Sequence, residues 1–95
     1  MVQEVSKISG MFKALGDEGR LQIMLHLRDG EQTVSNLAQL SESETSLVSH
    51  RLKALFTAGL LDKRRDGQQI FYRIRDEHVA NIIFNAVDHV TQCDV

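Results

Sequence analysis

The apolar period of this chain changes once, at Gly59, and that change constrains the fold more than any other feature. Before Gly59 the apolar side chains recur every three or four residues, which is the period of a helix. After it Ile70, Tyr72 and Ile74 alternate with Phe71, Arg73 and Arg75, which is the period of a strand. Two strand-like runs, Leu60–Arg65 and Gln69–Arg75, flank Asp66-Gly67. An Asp-Gly pair in that setting signals a tight hairpin. One two-stranded hairpin is therefore expected in an otherwise helical chain. The 95 residues leave room for a single domain, residues 1–95, with a modest core.

Four helices precede the hairpin in this reading. Val5, Ile8, Phe12 and Leu15 form the stripe of a first helix, about 4–15, ended by Gly16 as a left-handed residue. Asp17 caps a second helix with Leu21, Met24, Leu25 and Arg28 along one side, closed by Gly30. Thr33 caps a short third helix, Val34–Leu40, whose Val34, Leu37 and Ala38 face inward. Ser41 and Glu44 have capping-box spacing, so a fourth helix begins near Ser43 and buries Val48, Leu52, Leu55 and Phe56. Two helices joined by so short a link make a helix-turn-helix over about 34–57. A last helix, about 76–93, starts at an Asp76 cap. Its Val79, Ile82, Ile83, Phe84, Val87 and Val90 exceed what a terminal helix of a small domain needs, which points to an interface.

The net charge of −2 hides a segregation. Residues 51–75 carry seven basic side chains against two acidic ones, while both flanking stretches are net acidic. Such a stretch can hold a polyanion although the total is negative; by itself it also fits a solvated face. No apolar run approaches the roughly 18 residues of a membrane span. The first residues lack the basic-then-apolar pattern of a secretion signal, and the one cysteine, Cys93, forms no internal disulfide. A cytoplasmic protein with no membrane partner is expected. The chain has no glycine-rich phosphate loop and no nucleophile with base and orienter, so an enzyme is not expected.

The order helix, helix, helix-turn-helix, hairpin, helix is joined by several short stretches. They are Phe12-Lys13-Ala14-Leu15-Gly16-Asp17, Leu47-Val48-Ser49-His50-Arg51-Leu52-Lys53-Ala54-Leu55, Ala58-Gly59-Leu60-Leu61 and Arg64-Arg65-Asp66-Gly67-Gln68. Together these resemble the winged helix-turn-helix of the ArsR/SmtB family of bacterial transcriptional repressors over roughly residues 5–93. The resemblance implies a mainly α fold with a two-stranded β wing over about 60–75, dimerising through the terminal helices. It further implies a homodimer on double-stranded operator DNA, released in many members by a bound metal ion.

The candidates for DNA contact follow from that placement. Ser46, Ser49 and His50 project together from the fourth helix, and short hydroxyls and an imidazole can approach base edges closely. Thr45, Arg51 and Lys53 complete the set on this helix, and Arg64, Arg65 and Gln68 at the hairpin tip suit phosphate contact. His50 is open to a second reading, as a structural neighbour of the wing.

The metal candidates lie on the terminal helix. His78 and His89 are eleven residues apart, within about 20° of three full turns, so they share a stripe about 16.5 Å apart along the axis. One chain cannot bring them to one ion. Two antiparallel copies across a two-fold axis pair His78 with His89 twice. Asp76 lies two residues before His78, and Gln92 and Cys93 lie one turn after His89. Two histidines, a carboxylate and a further donor suit zinc, with cobalt or nickel as alternatives, at two inter-subunit sites per dimer. The pattern is similar to the terminal-helix site of zinc-sensing family members, except that Gln92 stands where those carry Glu or His. Three other readings stay open: Asp76 as a helix cap only, with the histidines in a polar dimer seam; a thiol response through Cys93; and a winged helix that binds only protein.

Overall fold

The computed structural model describes residues 1–92. Its elements are α1 (Val2–Leu15), α2 (Glu18–His26), β1 (Gln32–Thr33), α3 (Val34–Ser41), α4 (Thr45–Thr57), β2 (Leu61–Asp66), β3 (Gln69–Ile74) and α5 (Glu77–Gln92). This is the expected winged helix-turn-helix, mainly helical with a β wing.

The core is built where the helical stripes meet. Ile23 and Met24 of α2, Leu37 of α3, Val48, Leu52 and Leu55 of α4, and Leu60 and Leu61 leading into the wing are fully buried. Each such side chain contributes roughly 1.5–3 kcal/mol of transfer free energy. Val79 and Ile83 bring α5 onto this core, and Arg28, two residues past α2, stacks on Phe84 of α5 at 4.9 Å.

Local chemistry sets the element ends, in places differently from the sequence expectation. The Asp17 and Thr33 caps form as expected, accepting from the amides of Arg20 (3.0 Å) and Asn36 (3.2 Å). The capping box between Ser41 and Glu44 does not. Ser41 is the last residue of α3 and its Oγ donates to the Leu37 carbonyl, while Glu44 precedes α4 without a side-chain cap. Glu42, left-handed at φ 51°, closes α3 instead: the amides of Ser43 and Glu42 donate to the carbonyls of Ala38 and Gln39. Gly59, at φ 81°, ends α4 by the same pattern. Gly16 is not left-handed (φ −80°), and α2 stops at His26, before Gly30.

The wing turn is shifted by one residue. Asp66 still pairs with Gln69, so the turn is Gly67-Gln68 with Gly67 supplying the positive φ. The wing also gains a third strand. Gln32 and Thr33 pair with Tyr72 and Phe71, giving the antiparallel order β1-β3-β2.

Two apolar faces are left uncovered. Val5, Ile8 and Phe12 are about half exposed on α1, and Ile82 and Val90 are exposed on α5. Leu21 and Leu25 of α2 are also partly exposed and line an apolar cleft of about 260 Å³ with Ile83, Ala86, Val87 and Val90. No helix among the described residues is long and apolar enough to cross a membrane.

Candidate nucleic-acid interface and metal centre

Helix α4 divides its residues by face. Val48, Leu52 and Leu55 are buried, which turns Thr45, Ser46, Ser49, His50 and Lys53 to solvent. Arg51 falls on a different flank. It is half-buried, and its guanidinium lies against α2, where a Cβ on Gly19 would stand 2.5 Å from Cζ.

The wing separates its cations by strand parity. Leu61, Lys63 and Arg65 share one face of β2, opposite Ile74, Tyr72 and Ile70. This face adjoins α4: Lys63 Nζ sits 4.4 Å above the Phe56 ring, and Leu61 is in the core. Arg65 and the turn residue Gln68 are exposed, and Arg65 has no ion pair among the described residues. Asp62, Arg64 and Asp66 occupy the other face. There Arg73 bonds Asp62 at 3.3 Å, and Arg64 takes both carboxylate oxygens of Glu31 through Nε, at 2.9 and 3.1 Å. Arg64 Nη2 also bonds Glu31, and the guanidinium lies 4.5 Å above the Phe71 ring. These hydrogen bonds hold the Glu31 carboxyl below the usual carboxylate range and raise the already high Arg64. Glu31 was not among the residues singled out from sequence; it lies 33 positions from Arg64, and nothing local marks the pairing.

The terminal-helix candidates sit at the two ends of α5. Asp76 Oδ1 accepts from the Val79 amide at 3.0 Å, so the cap is real, and lies 3.8 Å from His78 Nδ1. Asp76 Oδ2 has no hydrogen bond among the described residues, and His78 is almost fully exposed. Both can therefore turn to a shared ion, a donor set of carboxylate and imidazole that suits zinc. His89 is exposed near the far end, and Gln92 is the last described residue. Cys93 lies outside the described residues. Among those described, no three His, Cys, Asp or Glu side chains converge as a metal cluster.

Known proteins share this fold. The model of the family "bacterial regulatory protein, arsR family" matches residues 17–63. The chain is 36% identical over 87 residues to the HTH-type transcriptional regulator NmtR of Mycobacterium tuberculosis, covering 92% of this chain and 72% of that one. It is 34% identical over 88 residues to a homolog of the cadmium resistance transcriptional regulatory protein CadC of Staphylococcus aureus, covering 92% and 73%. Among solved structures, a homodimeric winged helix-turn-helix DNA-binding domain from Mycobacterium bovis, a possible ArsR-family regulator, superposes with a TM-score of 0.86 at 31% identity, covering 94% of this chain and 86% of that one. With its helix-turn-helix, its wing and relatives matched over most of their length, the chain belongs to the arsR family of bacterial regulatory proteins and is a DNA-binding transcriptional regulator, not an enzyme.

Proposed function

We propose that the protein is a cytoplasmic, homodimeric repressor that holds operator DNA with α4 and the wing and releases it when a divalent metal, zinc foremost, bridges the paired α5 helices. The observation that carries this reading is the solvent face of α4, with Thr45, Ser46, Ser49, His50 and Lys53, beside a wing face whose Arg65 has no carboxylate partner among the described residues. Hydroxyls and an imidazole on a groove-sized helix suit base edges, and the wing donors Arg65 and Gln68 suit phosphates. Arg51 reaches DNA only by leaving Gly19.

The dimer is supported by the uncovered apolar faces of α1 and α5 and by the cleft beside α5. The solved relative from M. bovis is itself described as homodimeric. Metal response is supported by Asp76 and His78 at one end of α5 and His89 at the other, half-sites that two antiparallel helices would unite. Gln92 is a poor zinc ligand, which leaves Cys93 or solvent for the fourth position. A relative with cadmium resistance in its name fits the same reading.

When bound, the metal supplies a cross-link between two helices. The protein's part is to present neutral imidazoles and a carboxylate from opposite chains. Affinity for DNA then falls only as far as the ligand set favours the dimer geometry with badly spaced recognition helices.

The test uses purified apoprotein and a duplex that it selects from random sequence. Fluorescence anisotropy should show binding with a steep salt slope and release on adding zinc, cobalt or nickel. Binding that no metal changes contradicts the sensor, and the absence of salt-dependent binding contradicts the repressor and favours a protein-interaction module. A cobalt absorption spectrum reveals whether a thiolate, Cys93, is a ligand.

A further inference from the structure

The sheet order β1-β3-β2 makes the Arg64–Glu31 pair a long-range contact within a very small sheet. Arg64 is on β2, and Glu31 immediately precedes β1. The guanidinium therefore crosses the whole middle strand, over the Phe71 ring, to reach the carboxylate. Thr33, two residues after Glu31, caps α3, so the far end of this contact sits at the entrance of the helix-turn-helix. At this end the backbone provides little of that connection, because β1 makes only two cross-strand pairs; at the other end β2 follows α4 closely and Leu60 and Leu61 are buried in the core.

We infer that Glu31 and Arg64 form a strap fixing the wing to the helix-turn-helix, and that Arg64 is a positioning residue for Arg65 instead of a phosphate contact. The charges on the two wing faces support this. On the face of Arg64, both arginines of the strands meet carboxylates: Arg64 meets Glu31 and, at 3.9 Å, Asp66, and Arg73 meets Asp62. On the opposite face, which adjoins α4, Lys63 and Arg65 meet none among the described residues. For Arg64 to hold a phosphate it must give up a bidentate carboxylate. That exchanges one anion for another and gains little. Arg65 releases no partner when it binds.

The inference rests on the DNA-binding reading, and two measurements separate their failures. The parent's salt-dependent binding to its selected duplex tests DNA binding alone. Without DNA, amide hydrogen exchange in β1, β2 and β3 tests the strap alone, and it should quicken in Glu31→Gln and Arg64→Ala. On the duplex, both variants should bind about two- to five-fold more weakly per protomer at the parent's salt slope. Arg65→Ala should reduce that slope by about one per protomer. The charge swap Glu31→Arg with Arg64→Glu should recover both affinity and slow exchange. The strap is overturned if Arg64→Ala flattens the slope as Arg65→Ala does. It is equally overturned if Glu31→Gln binds as well as or better than the parent, if wing exchange is unchanged, or if the swap recovers nothing.

Discussion

The Arg20 guanidinium closes the end of helix α1: Nε donates to the Ala14 carbonyl at 2.7 Å and Nη2 to the Lys13 carbonyl at 3.3 Å. Part of the cap of α1 thus comes from α2, beside the Gly16 amide, which donates to the Lys13 carbonyl at 3.2 Å. Arg20→Ala leaves two carbonyls without this donor and should cost about 1–2 kcal/mol in urea unfolding. Arg20→Lys should recover only part, because a point charge replaces a planar fork. Since α1 presents Val5, Ile8 and Phe12, dimer dissociation followed by sedimentation should also become easier in Arg20→Ala. A variant as stable as the parent would show that the contact carries no net energy.

His26 presents the opposite case. Its Nε2 is buried without a hydrogen-bond partner among the described residues. Replacing a buried orphan by an apolar group of similar size is near neutral or favourable. His26→Leu should therefore keep or raise the thermal midpoint, and a loss beyond about 1 kcal/mol would mean that the imidazole is partnered in solution.

The α4 face makes a prediction about specificity. Ser49→Ala and His50→Ala should each lose roughly 1–3 kcal/mol for the selected operator and little for random duplex. Lys53→Ala should weaken both alike. Competition binding at several salt concentrations distinguishes these outcomes; equal affinity of all variants would contradict the groove assignment.

The wing strap has a definite acid limit. The hydrogen bonds from Arg64, with Arg73 adding charge, hold the Glu31 carboxyl below its usual range. A depressed carboxyl contributes stability above its unfolded pKa and loses it as pH falls through the folded value. Wing amide protection should therefore be complete at neutral and mildly acidic pH and fade only below the usual carboxylate range. That acid step should vanish in Glu31→Gln, and a step in mild acid would contradict the assignment.

The sequence was informative where chemistry is local. The Asp17, Thr33 and Asp76 caps, the Gly59 stop and the change of period into the wing all act within a few residues, and the structure has them. Contacts set by tertiary packing were not legible. Two residues are too few to show strand alternation, so Gln32-Thr33 was missed, and with it the position of Glu31 beside the wing. Glu42 in the left-handed region displaced the capping box that Ser41 and Glu44 suggest. Gly16 caps α1 as its position suggests but outside the left-handed region, and Arg20 from α2 adds donors that no local signal marks. Periodicity marked the apolar face of α1, but period alone does not tell whether the same chain or another copy covers it. Of the candidate ligands read from spacing, Asp76 immediately precedes α5, and His78 and His89 lie near its two ends.

The bridging of two chains by one metal is tested most directly by complementation between His78→Ala and His89→Ala. Each homodimer lacks one required histidine at both sites and should bind zinc weakly and stay on operator DNA. After the two proteins are mixed and chain exchange is verified, the heterodimer has one site with neither histidine and one with both. Equilibrium dialysis should then find up to one tight zinc site per heterodimer, restored from two inactive parents. If exchange is complete and no tight site returns, or if either single variant keeps full zinc affinity and stoichiometry, the metal does not bridge His78 and His89 across the dimer.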